Sequence, residues 1–596
     1  MHPLSLLTSL FLFAALIAHA QAAPNILFIS VDDMSADSIG AFGCKLPETS
    51  PHIDQLAEQG LRFRYGHVVV GNCMPSRNVM LSGRYPHNNG VEGFYQVKEP
   101  GWPHLCDLVQ EGGYFAAIRG KVPHSTPYTP YGWDLVLDTV DGESMHMKDA
   151  ESYYKSTKAG IAAAKAADKP FFLLINISDP HKPFYIEEKN DPHVPSRVFT
   201  ADEVPVPGFL VDDPIVRKEL AQYYSSVRRA DDCVGQTLQA LEESGRSEET
   251  FVMFLSDHGM PLPFAKTQVY HHSTHTPWIV RWPGVTKAGT WDEEHMISAV
   301  DVTPTLLDVA GLEHPDGFDG RSFEPLLRGE TQENRDYVFK VYNENSGAAR
   351  HPMRSIQGKR FSYIFNPFSD GENVFRTATQ GTMTYRRMKE LAETDEAIAA
   401  RVELFDHRVV EEFYDYDKDP DALVNLIDNP EYAQQVQEFR EQLEQVMVAT
   451  NDHALEPFRS RDDPAALAAY MTKVQEEATA RRQSRKSDKG PAKRKGLIKL
   501  NVPETYSAGG ELTVKIRHNL PADLSQQKVH VTIKEGKNGR RLDRKVETVQ
   551  GKGTLEVTFT VPEQVQDDVL SFAAFVGEEF TESYQHVTTG MIPPAD

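Results

Sequence analysis

Three short and almost unbroken apolar runs mark the first half of the chain, and each one ends on acids or imidazoles. Asn25–Val31 leads into Asp32 and Asp33, Phe171–Ile177 into Asp179, Pro180 and His181, and Thr250–Leu255 into Ser256, Asp257, His258 and Gly259. Continuous apolar segments rich in branched side chains predict parallel strands buried on both faces. Between them the spacing becomes helical, over Ile53–Gly60 with a glycine stop and over Tyr223–Gly245. Strands alternating with helices predict an α/β sandwich with a largely parallel sheet. Ligands of such sheets sit beyond the carboxyl ends of the strands. That edge is where all three runs deliver their polar residues.

The pattern changes along the chain. Residues 23–350 carry the α/β alternation, and 351–460 read as a smaller α+β subdomain. In the latter, Arg360–Ile364 and Glu412–Tyr416 are predicted strands and Glu431–Thr450 a closing amphipathic helix. Residues 461–496 form a charged helix or linker, and Gln475–Lys495 has no large apolar residue. Its Arg481, Arg482, Arg485, Lys486, Lys493, Arg494 and Lys495 read as a solvated spacer or as a contact for a polyanion. From 497 to 596 the apolar period becomes two, in Leu512–Ile516, Val529–Ile533 and Leu555–Val561, with a turn at Glu535–Gly539. That is an appended all-β sandwich. It contains no catalytic constellation, and the chain has no internal repeat.

The chain has 596 residues, enough for several cores, and its 40% hydrophobic and 25% charged residues are those of a globular protein. A formal charge of -24 argues against nucleic-acid or anionic-membrane partners. It leaves a polyanionic substrate open, because a local cluster of cations decides that. At the start, the apolar stretch Leu4–Ala18 followed by Ala20, Ala22 and Ala23 reads as a secretory signal peptide over 1–22, or alternatively an N-terminal anchor. No later run is long enough to span a bilayer, so no stable membrane insertion is expected after cleavage and the mature chain is secreted or periplasmic. There are 4 cysteines. If Cys73 is consumed by chemistry, Cys44, Cys106 and Cys233 allow at most one disulfide.

The strongest chemical signal is Cys73-Met74-Pro75-Ser76-Arg77, preceded by Asp32-Asp33 and followed by Lys121, His124, His181, Asp257-His258 and Lys266. With these motifs the chain resembles the formylglycine-dependent sulfatases of the alkaline-phosphatase superfamily, from Pro24 to about Asp452. The segments Thr49–Ala57, Ser298–Leu307, Phe318–Ser322 and Phe413–Pro420 carry the same resemblance. Met260–Pro263 and Pro352–Ile356 look most like the N-sulfoglucosamine sulfohydrolase (sulfamidase) branch.

The residue types fit the chemistry. A sulfate ester repels anionic nucleophiles, so its site needs cations around the oxygens. Asp32, Asp33, Asp257 and His258 suit a divalent ion beside residue 73, and their oxygens favour one calcium ion. The imidazole, where many sulfatases have Asn, leaves magnesium, manganese or zinc open. The resemblance implies that Cys73 is oxidised by a formylglycine-generating maturation enzyme to formylglycine and becomes a metal ligand. One hydroxyl of the hydrated aldehyde attacks sulfur, with Asp257 as base. Deprotonation of the other hydroxyl then expels sulfate and regenerates the aldehyde. Arg77 orients the diol, Lys121 and Lys266 hold sulfate oxygens, His124 is the base for the second hydroxyl, and His181 is the acid for the leaving group.

This chain reads Gly120-Lys-Val-Pro-His124, one residue longer than the common Gly-Lys-x-His. Either the turn bulges and His124 still reaches the site, or its role has moved. His271, His272 and His275 read as a polar loop or as a substrate or second-metal group, and Phe94, Tyr95, Glu344 and Arg354 as substrate-selecting positions. The expected activity is release of sulfate from a sulfated saccharide, by S–O or S–N cleavage. The alternatives are a phosphodiester or phosphonate monoester hydrolase of the same superfamily, and a non-catalytic glycan-binding protein.

Overall fold

The computed structural model describes residues 23–595 apart from 98, 130, 348, 488–493, 537–539, 566–567 and 579–582. The expected signal peptide (1–22), Lys493, the side chains of Arg485 and Lys486, and the tip of the 535–539 turn lie outside the described residues.

The central sheet has eight strands: β1 (Asn25–Asp32), β2 (Leu61–His67), β3 (Phe115–Arg119), β4 (Leu135–Val136), β5 (Phe171–Pro180), β6 (Thr250–Ser256), β7 (Trp278–Arg281) and β8 (Thr290–Ser298). Their spatial order is β8-β2-β7-β6-β1-β5-β3-β4. Only β7 runs against its neighbours, so the α/β expectation holds. Strands β1, β5 and β6 are buried along their whole length, which is why their sequences are continuous rather than alternating. Because β6, β1, β5 and β3 are adjacent and parallel, their carboxyl ends line one edge.

The helices follow their sequence signals with instructive differences. Helix α1 (Pro51–Gln59) begins at a proline and stops at Gly60 as expected. Helix α2 (Cys73–Ser82) is buried over every residue, and short α3 (Val122–Ser125) follows β3. Helix α4 (Ala150–Ala166) packs beside α5, which runs Pro214–Glu243 rather than starting at Tyr223. Its first turns carry Arg217, Lys218 and Gln222, which hide the apolar period. The real start is signalled by the Asp213 cap and Pro214.

A second sheet, antiparallel, joins β9 (Val338–Glu344), β10 (Arg350–Gln357), β11 (Phe361–Phe365) and β12 (Glu411–Asp415), with helix α6 (Ala433–Ala449) against it. Helix α7 (Pro464–Ser487) is solvated over most of its described part from Gln475 onward, but its start is anchored. Its Leu467, Tyr470, Val474 and Ala478 are buried, and the first three join the main core. The spacing of three, four and four residues is an apolar stripe, masked in the composition by the charged residues of the other faces. The last hundred residues have their own core and two antiparallel sheets, as the period of two predicts. All four cysteines are free, so the one disulfide that the count allowed is not formed. Among the described residues no helix is long and apolar enough to cross a membrane.

Candidate active site

Four strand ends and one helix start meet at the sheet edge. Asp32 ends β1 and Asp33 follows it; Asp257 and His258 follow β6; His181 follows β5; Gly120 and Lys121 follow β3. Cys73 is the first residue of α2, with Asn72 as N-cap accepting the Cys73 amide at 3.1 Å. Ser76 Oγ donates to the Asp257 carbonyl at 2.7 Å, which ties this helix to the β6 end.

Ligand atoms of Asp32, Asp33, Asp257 and His258 all lie within 4.8 Å of one another, as do those of Asp32, Cys73 and His258. All five residues are buried. His258 Nδ1 faces the Gly259 carbonyl at 3.0 Å, which turns Nε2 inward to 3.1 Å from Asp33 Oδ1. Three carboxylates so confined demand positive charge. Arg77 Nη2 is 2.8 Å from Asp257 Oδ2 and 3.8 Å from Asp32 Oδ2; Lys266 Nζ is 2.6 Å from Asp33 Oδ1; and Lys121 Nζ pairs with Asp32.

The electrostatics follow. Burial alone would raise the pKa of Asp32, but Lys121, His181, Arg77 and Lys266 outweigh it and hold the carboxyl well below its ordinary value. Asp33 is likewise lowered against burial by Lys266, His181 and His258. Burial opposes charge on His258 too, yet Asp257 and Asp33 raise it to about 9. His124 moves the other way: burial, with Lys121 and Arg77 nearby, lowers it to about 4. His181 is also lowered, chiefly by burial.

His124 stands in the short helix after the longer Gly120–His124 turn, where the charges of Lys121, Arg77, Asp32 and Asp257 bear on it. Lys121 absorbs the extra residue with φ 50°, in the left-handed region, and Asn78 Nδ2 holds the His124 carbonyl at 2.8 Å. His181 Nδ1 lies 2.6 Å from the Lys182 carbonyl. Lys148 Nζ donates to the His181 carbonyl at 2.6 Å and to Asp179 at 2.5 Å, and Asp179 also accepts from Arg229 Nε at 2.6 Å.

Several supporting residues escape the sequence reading. Asn176 accepts Arg77 Nη1 at 2.5 Å and donates to the Gly120 carbonyl at 2.9 Å, and Ser30 accepts the same Arg77 nitrogen at 3.1 Å. Their signal was present: each is a polar residue inside an otherwise apolar buried strand. Lys148 and Arg229 gave none.

The remaining candidates are scattered. Phe94 packs edge-on against His124 with ring centroids 5.6 Å apart, and Glu344 sits at the end of β9. Tyr95 lies beneath the Arg481 guanidinium. Arg354 is fully buried and clamps Asp452 through two nitrogens at 2.5 and 2.8 Å, which makes it a brace. His271 and His275 pack with His67 while His272 stacks on Phe209, and none belongs to a group with metal-ligand spacing among the described residues.

Solved structures share this mostly parallel architecture. One, a complex with its substrate D-glucosamine-2-N,6-O-disulfate, superposes with a TM-score of 0.55 at 19% identity, over 72% of this chain and 99% of the other. Sequence narrows the class. Residues 24–312 match the Sulfatase family and 257–374 match the N-sulphoglucosamine sulphohydrolase C-terminal family. Human N-sulphoglucosamine sulphohydrolase is 28% identical over 479 residues, 72% of this chain and 90% of its own length. An ulvan-active sulfatase of Formosa agariphila is 29% identical over 412 residues, 69% and 77% of the two chains. Residues 24–312 thus carry a sulfatase domain, and with the sulfohydrolase relatives this makes the protein a hydrolase acting on sulfuric esters or sulfamates.

Proposed function

We propose that the protein releases sulfate from a sulfated saccharide, using formylglycine derived from Cys73 beside a divalent cation. The observation that carries this reading is the meeting of Cys73, Asp32 and His258 within 4.8 Å, with Arg77, Lys121 and Lys266 around the same acids.

The residues fit a cation. The cluster offers three carboxylates and an inward imidazole nitrogen, and the buried Asp32 Oδ1 has no hydrogen-bond partner among the described residues. Asp32, Asp33, Asp257, His258 and residue 73 would hold the ion, and the oxygen-rich set favours calcium. Its chemistry is to polarise a sulfate oxygen and lower the pKa of the attacking hydroxyl. The hydrated aldehyde at position 73 supplies that hydroxyl and a second one.

The chain's own residues do the rest. Asp257 takes the proton of the attacking hydroxyl, and Arg77, fixed by Asn176 and Ser30, orients residue 73. Lys121 and Lys266 bind sulfate oxygens and offset the charge that shifts during S–O or S–N cleavage. His124, neutral with its pKa near 4 and with Nδ1 free of hydrogen bonds among the described residues, accepts the proton whose loss frees sulfate. His181, oriented through Nδ1, protonates the departing oxygen or nitrogen through Nε2.

The same reading makes 1–22 a signal peptide, 23–350 the catalytic domain with 351–460 its subdomain, 461–496 a connector and 497–596 an accessory sandwich. The mature protein is then an exported enzyme, activated by a formylglycine-generating enzyme. The glycan class is supported by the human and Formosa relatives, whose names specify N-sulphoglucosamine and ulvan. The test pairs mass spectrometry of the residue-73 peptide with turnover of sulfated sugars, phosphodiesters and phosphonate monoesters. An aldehyde at 73 and a preference for sulfate are expected. A retained thiol in active enzyme, or a preference for phosphorus, overturns the reading.

A further inference from the structure

A cavity of about 290 Å³ has Phe94 in its wall, and Phe94 in turn packs on His124 of the candidate site. One face of the Phe94 environment is His124, at 5.6 Å between centroids. On the other side the cavity is walled by Glu344, Gly347 and the arginines Arg481 and Arg482 of α7.

The wall is tightly built. Gln96 Nε2 donates to the Pro123 and Thr126 carbonyls, which fastens the Phe94 loop to the His124 turn. Gly93 is pressed against β9, where a Cβ would fall 2.3 Å from Glu344 Oε1. Arg481 donates to Glu344 Oε2 at 2.6 Å and lies 4.1 Å over the Tyr95 ring. Glu344 is already shared with Arg350, at 3.3 Å. Arg482 donates to the Gly347 carbonyl at 3.0 Å, is exposed, and has no carboxylate in ion-pair range among the described residues. Two guanidinium groups and a single shared carboxylate therefore face the cavity beside an aromatic ring. Helix α7 lies beyond residue 374, where the two family-model matches end.

We propose that α7 supplies an anion-binding subsite for the sugar adjoining the one that loses sulfate. Arg481 and Arg482 take a carboxylate or second sulfate of that neighbouring residue, and Phe94 packs on its ring. This rests on the reading that the carboxylate site desulfates a saccharide, and it makes the substrate an acidic oligosaccharide rather than a single sugar. Arginine suits the task because its planar fork matches both oxyanions.

The test is calorimetric binding to full-length Cys73→Ala protein, which removes turnover from the readout. Three disaccharides carry the same sulfate on one sugar; the neighbouring sugar is a uronate, a sulfated neutral sugar or an uncharged sugar. Either anionic neighbour should bind about tenfold tighter than the uncharged one, the scale of one charge-assisted contact. Adding Arg481→Ala and Arg482→Ala should abolish that preference, while Arg482→Lys should keep part of it. Should the double variant unfold, exposed Arg482→Ala alone decides, with at least half of the preference (on a logarithmic scale) lost. Equal affinity for all three ligands, no binding, or an intact preference in the variants overturns the subsite. Failure of the desulfation reading shows separately, as absence of sulfate release by the Cys73-containing enzyme.

Discussion

At the scale of single residues, the acids and cations of the site were legible because they interrupt or terminate apolar runs. Asp32, Asp33, Asp257 and His258 follow strands whose composition leaves no other role for a charged end. Asn176 and Ser30 were equally visible as polar residues inside buried strands, yet nothing in the sequence says which side chain they meet. Only the adjacency of β1 and β5 brings both onto Arg77. Asn176→Ala leaves a buried guanidinium short of one acceptor, a loss of about 1.5–3 kcal/mol. We expect kcat/KM for sulfate release to fall roughly tenfold to a hundredfold, because Arg77 loses its fixed orientation. A variant with wild-type kcat/KM would detach Arg77 positioning from Asn176.

At the scale of elements, α2 shows how local rules fix the nucleophile position. Asn72 caps the helix at Cys73, and Gly83 ends it in the left-handed region at φ 65°, where a Cβ would also meet Phe318 Cδ1 at 2.7 Å. Both are the residue types such ends call for, an asparagine at the N-cap and a glycine at the left-handed stop. Gly83→Ala should therefore destabilise the fold by about 2 kcal/mol, from the left-handed backbone and the ring contact together. Chemical denaturation measures it, and a change below a few tenths of a kcal/mol contradicts the capping account. The elements that misled were those whose buried stripe is interleaved with charged residues. The first turns of α5 and the stretch Leu467–Ala478 of α7 carry apolar stripes too narrow to stand out in composition, although the cores they complete require them.

At the scale of the whole molecule, the parallel order β6-β1-β5-β3 turns residues far apart in sequence into one site. The strand types were legible; the order was not, because identical apolar runs fit any position in a buried sheet. The same dry interior sets a pH response. Burial lowers His104 and His351 to about 4 and His67 and His272 well below the ordinary 6.5. The unfolded chain then binds more protons than the folded one above pH 4, so stability rises with pH up to about 6.5. Asp231 and Asp37, which burial raises to about 7 and about 6, work the opposite way over the same range, as do Asp54 and Asp421. But His124, His271 and His275 are lowered by burial as well, seven imidazoles against four carboxyls. The melting temperature should therefore be higher at pH 6.5 than at pH 5 by scanning calorimetry; a lower value at pH 6.5 contradicts the buried neutral imidazoles.

All of this organisation serves one position. The most direct measurement is sulfate release from a single sulfated saccharide by the mature protein and by Cys73→Ala, compared side by side. The account predicts that the variant, still folded, drops to the uncatalysed background. Turnover by Cys73→Ala within tenfold of the unsubstituted enzyme would contradict it.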